Sequence, residues 1–230
     1  MRRERRPVLA GLSLLALSLP AFSQEPAAAR AALSREQAQK LIQGTDLQVE
    51  SIRKKEIHLP GLAVALVSRD EVLWAKAFGY RDSSRREKAD ADTMYGLLSL
   101  SKTLTVTGLM AAVDEGLIDL DVPIRTYLPD FRINSRFPED PMSVITIRHL
   151  LSMTSGLTHD APVGNNADPY TPSYEEHIRS ISRTWLRFRT GERAEYSNLG
   201  IELAAYILET VTHRPFTEYL HKRVFDPIGM

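Results

Sequence analysis

The sequence contains no cysteine, so disulfides, thiol nucleophiles, thiolate zinc sites and a lipid-modified cysteine are excluded, and covalent catalysis would need another nucleophile. It has no excess of either charge. The 29 basic and 29 acidic residues balance, which removes the electrostatic footprint that draws a protein onto nucleic acid or an anionic membrane. Long apolar runs are missing too: the run from Val8 to Leu19 is too short to span a bilayer comfortably. There is no Gly-x-Ser-x-Gly elbow and no His-Glu-x-x-His or comparable ligand spacing, so no metal and no cofactor is expected. His149, His159, His177, His213 and His221 read as polar helix or loop residues, and Asp119 and Asp121 as turn and cap residues rather than a calcium site.

What is present is enough for a substantial core: 230 residues at 43% hydrophobic content. Arg2, Arg3, Arg5 and Arg6 precede the Val8–Leu19 run, and Ala21-Phe22-Ser23 follows it. That order reads as a secretory signal peptide over 1–23 with a small-x-small cleavage site. The expected location is therefore exported and periplasmic, with no membrane span left after cleavage. Residues 24–32 are Ala-rich and are expected to form a flexible leader. Ser34-x-x-Gln37 predicts a capping box opening a helix through about Lys54, ended by Pro60-Gly61. The runs Leu62–Val67 and Val72–Phe78, separated by Ser68-Arg69-Asp70-Glu71, predict a β-hairpin.

Beyond the polar stretch Arg81–Asp92, apolar residues recur at helical spacing from Leu100 to Val113, with Gly116 as the stop. Further helices are predicted from Thr146 to Ser152, from a Ser173-x-x-Glu176 cap to about Thr184, and over 199–212 and 216–225. The loop from Met153 to Pro172 could border a substrate or be a plain surface loop. Arg179, Arg183 and Arg187 recur every four residues, and Glu175 before them favours a solvated, salt-bridged face over an anionic partner. The predicted organisation is 33–98, a helix and hairpin, followed by 99–230, mainly helical.

Ser99-Leu-Ser-Lys102 opens the first long helix of the second part, and Tyr196-Ser-Asn198 follows far downstream. A serine hydroxyl is a poor nucleophile at neutral pH and needs a base within hydrogen-bond reach. Serine and lysine three apart on a helix share a face. A tyrosine alongside could accept the serine proton, and the helix start directs a backbone N–H at a developing oxyanion. Taken singly, the residues have plainer readings: Ser99 and Asn198 as helix caps and Lys102 as a surface residue. Ser51-x-x-Lys54 is a second Ser-x-x-Lys pair, in a polar helix, so the spacing alone is weak.

In order and context, however, the sequence resembles the serine β-lactamase and penicillin-binding protein superfamily, most closely the branch of class C β-lactamases, D-alanyl-D-alanine carboxypeptidases and esterases. The resemblance is carried by Gly61-Leu-Ala-Val-Ala-Leu-Val, Phe78-Gly-Tyr-Arg-Asp82, Ser99-Leu-Ser-Lys102-Thr, Asp114-Glu-Gly-Leu-Ile-Asp-Leu-Asp121, His149-Leu-Leu-Ser-Met-Thr-Ser-Gly-Leu157, Tyr196-Ser-Asn198 and Phe225-Asp-Pro-Ile-Gly-Met230. It runs from about residue 33 to the last residue. It implies an α+β fold, β-lactamase/transpeptidase-like, with an antiparallel sheet, flanking helices and a mainly helical region. It also implies Ser99 as acylated nucleophile, Lys102 as its proton-transfer partner, Tyr196 as general base or proton shuttle, and Asn198 as a substrate-positioning amide.

The family's third motif, Lys-Thr-Gly or His-x-Gly on a strand beside the nucleophile, does not occur in this sequence. The resemblance places it, with the strands that complete the sheet, after Met230, so the chain is expected to be truncated relative to the family. The expected function is an exported serine hydrolase acting on a small-molecule or peptidoglycan-like substrate: a β-lactam, a D-alanyl peptide or an ester. The alternative is a catalytically inactive, truncated or pseudo-enzyme form that at most binds peptidoglycan-like ligands.

Overall fold

The structure, a computed structural model, describes residues 35–55, 60–68, 71–82, 84, 86–165 and 172–230. The expected signal peptide, the leader, the Ser34 cap and the turn residues Arg69 and Asp70 lie outside the described residues. The chain divides between Tyr95 and Gly96 into two compact units.

In the first unit, helix α1 spans Arg35–Lys55, matching the predicted helix. Strands β1, Gly61–Val67, and β2, Val72–Gly79, form the predicted antiparallel hairpin, in register from Gly61↔Gly79 to Val67↔Val72 with an irregularity at Leu66/Val67. Ser68 closes its turn, donating its N–H to the Glu71 carbonyl at 2.8 Å and accepting from Glu71 N at 3.1 Å. At the open end Gly79 takes φ +80°, and a Cβ there would strike the Pro60 carbonyl; only glycine meets both demands. Lys76 on β2 reaches Asp46 on α1 at 2.8 Å.

The second unit is built on α2, Ser101–Asp114, and α6, Asn198–Thr212. Leu199, Leu203, Ala204, Ile207 and Leu208 of α6 are fully buried. They recur at the three-to-four-residue spacing of one helix face, and each large side chain contributes on the order of 1.5–3 kcal/mol by leaving water. They pack with Leu109 and Ala112 of α2 and with Ile147 and Leu150 of α4, Ile147–Leu151, in one core. Gly108 lets Leu220 of α7, Phe216–Leu220, approach α2, since a Cβ there would collide with the leucine side chain. Gly116 ends α2 as predicted, at φ +73°. The short helix α3, Pro141–Val144, is capped by Asp140. In the Asp119–Asp121 turn, Asp121 N donates to Asp119 Oδ1 at 2.8 Å and the Asp121 carboxylate holds Arg148 in a two-pronged pair.

Several predicted boundaries shift. Helix α5, Tyr174–Ile181, starts on the Ser173 cap but ends three residues before the predicted Thr184. There the Thr184 carbonyl accepts from Asn134 N at 3.2 Å and Leu186 N donates to the Asn134 carbonyl at 3.0 Å, drawing the chain into an extended bridge. The expected arginine stripe is broken at this point: Arg179 pairs with Glu175 at 2.5 Å on the helix, while Arg187 lies beyond it and pairs with Glu195. Helix α6 begins at Asn198, one residue early, and α7 gives way after Leu220 to a wider π turn, His221–Phe225.

Candidate active site

A single 3₁₀ turn, Leu98–Leu100, leads directly into α2 and presents Ser99. Ser99 makes no capping hydrogen bond to the helix; its Oγ faces Tyr196 Oη at 2.7 Å instead, across 97 residues of sequence. Lys102, one turn further along, donates from Nζ to Ser99 Oγ at 3.4 Å and lies 5.0 Å from the Tyr196 ring centroid. The plainer reading of Ser99 as a cap is thus set aside. Leu98, immediately before Ser99, adopts the left-handed φ of +47°, a conformation that costs a non-glycine residue about 1–2 kcal/mol. Its side chain is 86% exposed, so packing does not impose it.

Tyr196 and Asn198 arrive together because Ser197 between them is buried and fully used. Its Oγ accepts from Gly200 N at 3.1 Å, capping α6, and donates to the Thr158 carbonyl at 2.7 Å. Ser197, not Asn198, is therefore the cap. The His159 carbonyl accepts from Asn198 N at 2.8 Å. These bonds fasten the Thr158–Asp160 loop to the start of α6.

That loop supplies two site residues that motif spacing did not reveal. Asp160 Oδ1 accepts from Asn198 Nδ2 at 2.7 Å, and Asp160 Oδ2 lies 2.7 Å from His159 Nδ1. The His159 ring lies against Tyr196 at 5.4 Å between centroids. Partial burial works to raise the pKa of Asp160, but the Asn198 and His159 hydrogen bonds, with the charges of His159 and Lys102, outweigh it and hold the carboxyl below the usual range. Hydrogen bonding from Lys102, then from Ser99, moves the Tyr196 phenol below its ordinary value, with the Asp160 carboxylate opposing the shift.

Ser99, Lys102, Asp160, His177 and Asn198 line a cleft of about 250 Å³, into which the near end of the Met153–Pro172 loop contributes Ala161, Gly164 and Asn165. All four residues singled out in the sequence, Ser99, Lys102, Tyr196 and Asn198, thus converge. Of the remaining histidines, His149 closes a capping box with Thr146 and His213 ends α6 in the left-handed conformation. Among the described residues, no group of three or more His, Asp or Glu side chains is arranged to hold a metal ion. A hydroxyl between a phenol and an ammonium, beside a fixed amide, is equipped for proton transfer from serine and attack on a carbonyl.

Known proteins resemble the chain in sequence and in fold. Staphylococcus aureus Protein flp is 26% identical over 194 residues, 83% of this chain and 38% of flp. Esterase EstB of Burkholderia gladioli is 28% identical over 180 residues, covering 73% of this chain and 45% of EstB. The crystal structure of D-amino acid amidase from Ochrobactrum anthropi SV3, complexed with L-phenylalanine amide, superimposes with a TM-score of 0.67 at 26% identity, covering 84% of this chain and 52% of the amidase. The chain spans roughly two fifths to one half of the length of these proteins. With the beta-lactamase family model matching residues 35–230, the chain belongs to the beta-lactamase family, and its fold is β-lactamase-like.

Proposed function

We propose that this chain carries the nucleophile-bearing part of an exported serine hydrolase of the class C β-lactamase type. Ser99 Oγ attacks the carbonyl carbon of a β-lactam, D-alanyl peptide or ester. Tyr196 accepts the hydroxyl proton, Lys102 stabilises the phenolate and shares the proton transfer, and the Asn198 amide positions the substrate. The bond from the carbonyl carbon to the leaving nitrogen or oxygen breaks, and the leaving group takes the proton back. Water then attacks the Ser99 ester, releasing the acid and restoring the hydroxyl. The backbone N–H of Ser99, in the first turn of a helical segment where N–H groups lack intrahelical partners, faces the developing oxyanion.

The observation that carries this reading is the position of Ser99 Oγ, 2.7 Å from Tyr196 Oη and 3.4 Å from Lys102 Nζ. The family's esterase and amidase members support carbonyl substrates of this kind. The test is to incubate residues 24–230 with a β-lactam and with p-nitrophenyl acetate and weigh the intact protein. A covalent adduct that disappears in Ser99→Ala is expected; a folded chain forming no adduct overturns the reading and leaves ligand binding without catalysis. Export rests on the arginine cluster and apolar run ahead of Ala21-Phe22-Ser23, and N-terminal sequencing of protein recovered outside the cytoplasm should begin at Gln24.

A further inference from the structure

A second cavity, of about 440 Å³, opens beside the Ser99 cleft, and Lys102, Asn198 and Glu202 line both. Away from this shared edge its walls are largely apolar: Ile201 and Ala205 on α6, with Pro215 and Phe216. Ile201 and Ala205 are each 6% exposed, so this floor is already part of the folded core. The volume suits one arm of a small molecule.

Glu202 stands at the joint between the two cavities. Its Oε2 lies 3.0 Å from His177 Nε2, while His177 Nδ1 is held at 2.8 Å by the Val163 carbonyl. The carboxylate is thereby fixed in place, and among the described residues its Oε1 has no hydrogen-bond partner. Glu209, also on the cavity wall, is engaged through Oε2 with Phe216 N at 2.8 Å. Asp160, Glu202 and Glu209 face these two cavities against the ammonium of Lys102 and the imidazole of His177. Burial first, and then the carboxylates of Glu209 and Glu202, push the pKa of the Tyr174 phenol well above its ordinary value. The charged groups on the wall of the second cavity are the carboxylates of Glu202 and Glu209 and the ammonium of Lys102, so negative charge is in excess: an entering carboxylate meets two groups of its own sign against one of the opposite sign, and an ammonium meets a preoriented acceptor in Glu202.

We propose that the second cavity receives the acyl arm of the Ser99 substrate, and that this arm is apolar and carries a protonated amine that donates to Glu202. The proposal rests on the serine-hydrolase reading above and names the substrate class that reading leaves open. It assigns Glu202 as a specificity-determining residue.

Binding to the full chain carrying Ser99→Ala tests it without turnover, using hexylammonium, hexanol and hexanoate as probes and NMR titration as the readout. Hexylammonium is expected to bind about tenfold more tightly than hexanol, the scale of one charge-assisted hydrogen bond, with hexanoate weaker than both. The Ile201 and Ala205 methyl resonances should shift on saturation. Glu202→Gln, which keeps a hydrogen-bonding side chain beside His177, should bring hexylammonium and hexanol within about twofold of each other. Equal affinities in the parent chain, a preference that survives Glu202→Gln, or binding that leaves both methyl groups unmoved would each overturn the proposal. Acylation of Ser99 by p-nitrophenyl acetate is measured separately in the unmodified chain. Acylation without the ammonium preference overturns this proposal alone, whereas the preference without acylation overturns the hydrolase reading and leaves an amine-binding cavity.

Discussion

Asp160 holds Asn198: the carboxylate Oδ1 accepts the side-chain amide N–H at 2.7 Å across 38 residues of sequence. One N–H of Nδ2 is thereby used, the Asn198 side-chain oxygen accepts no hydrogen bond among the described residues, and the side chain is oriented by a group with a second anchor in His159. Asp160 therefore acts on the reaction through Asn198, as a positioning residue. Asp160→Ala should lower kcat/KM for p-nitrophenyl acetate by about 10- to 100-fold, the cost of a loosened orienting group. Asp160→Asn keeps an acceptor for Asn198 and should recover most of that loss. Equal defects in the two variants would show that the hydrogen bond to Asn198 is not what matters.

The pH profile separates the groups around Tyr196. If the phenolate is the base, acylation rises with pH through the Tyr196 ionisation, which lies below the ordinary tyrosine value chiefly because of Lys102. Lys102→Met removes the main cause of that lowering, so the acidic limb should move to higher pH and the rate at neutral pH should fall. Asp160→Asn removes the carboxylate that opposes the lowering, so the same limb should move to lower pH. Stopped-flow acylation rates across pH would report opposite displacements; movement in the same direction would remove Tyr196 from the role of base.

Ser197 tests how the site is anchored. It is 1% exposed and serves two partners, Gly200 N and the Thr158 carbonyl. Ser197→Ala leaves both without it and removes the cap of α6, a loss of about 1–3 kcal/mol. Urea unfolding should show a lower midpoint with an unchanged slope. Acylation should fall as well, since the loop carrying His159 and Asp160 is tied down through the same hydroxyl.

The difference between what could be read in sequence and what could not follows the range of the interactions. The hairpin, the helix after Ser99 and the Ser173 cap depend on residues within a few positions of one another, and the structure contains each of them. Ser99 and Tyr196 were legible as a pair because both sit in short motifs with family context. Asp160 and His159 carry no such signal: their role exists only once Ser197 bonds Thr158 across 39 residues. The premature end of α5 has the same origin, because Asn134 captures the Thr184 carbonyl from 50 residues away.

Leu98 provides a test in which packing and chemistry come apart. Its backbone is left-handed at φ +47° immediately before the nucleophile, while its side chain is 86% exposed, so replacing it removes little buried surface. Leu98→Gly relaxes the steric penalty of that conformation, worth about 1–2 kcal/mol, but adds freedom to the unfolded chain worth roughly 0.5–1 kcal/mol in the other direction. The net change in stability should be small. Leu98→Ile places a β-branched residue where such residues are least tolerated, so the turn should shift and carry Ser99 Oγ away from Tyr196. Acylation should then drop by about 10-fold or more, since displacing a reacting atom by 1 Å can cost on the order of 100-fold. Acylation and urea unfolding measured on both variants decide the matter: Leu98→Ile at parental rate would mean that the strained turn does not set the position of the nucleophile.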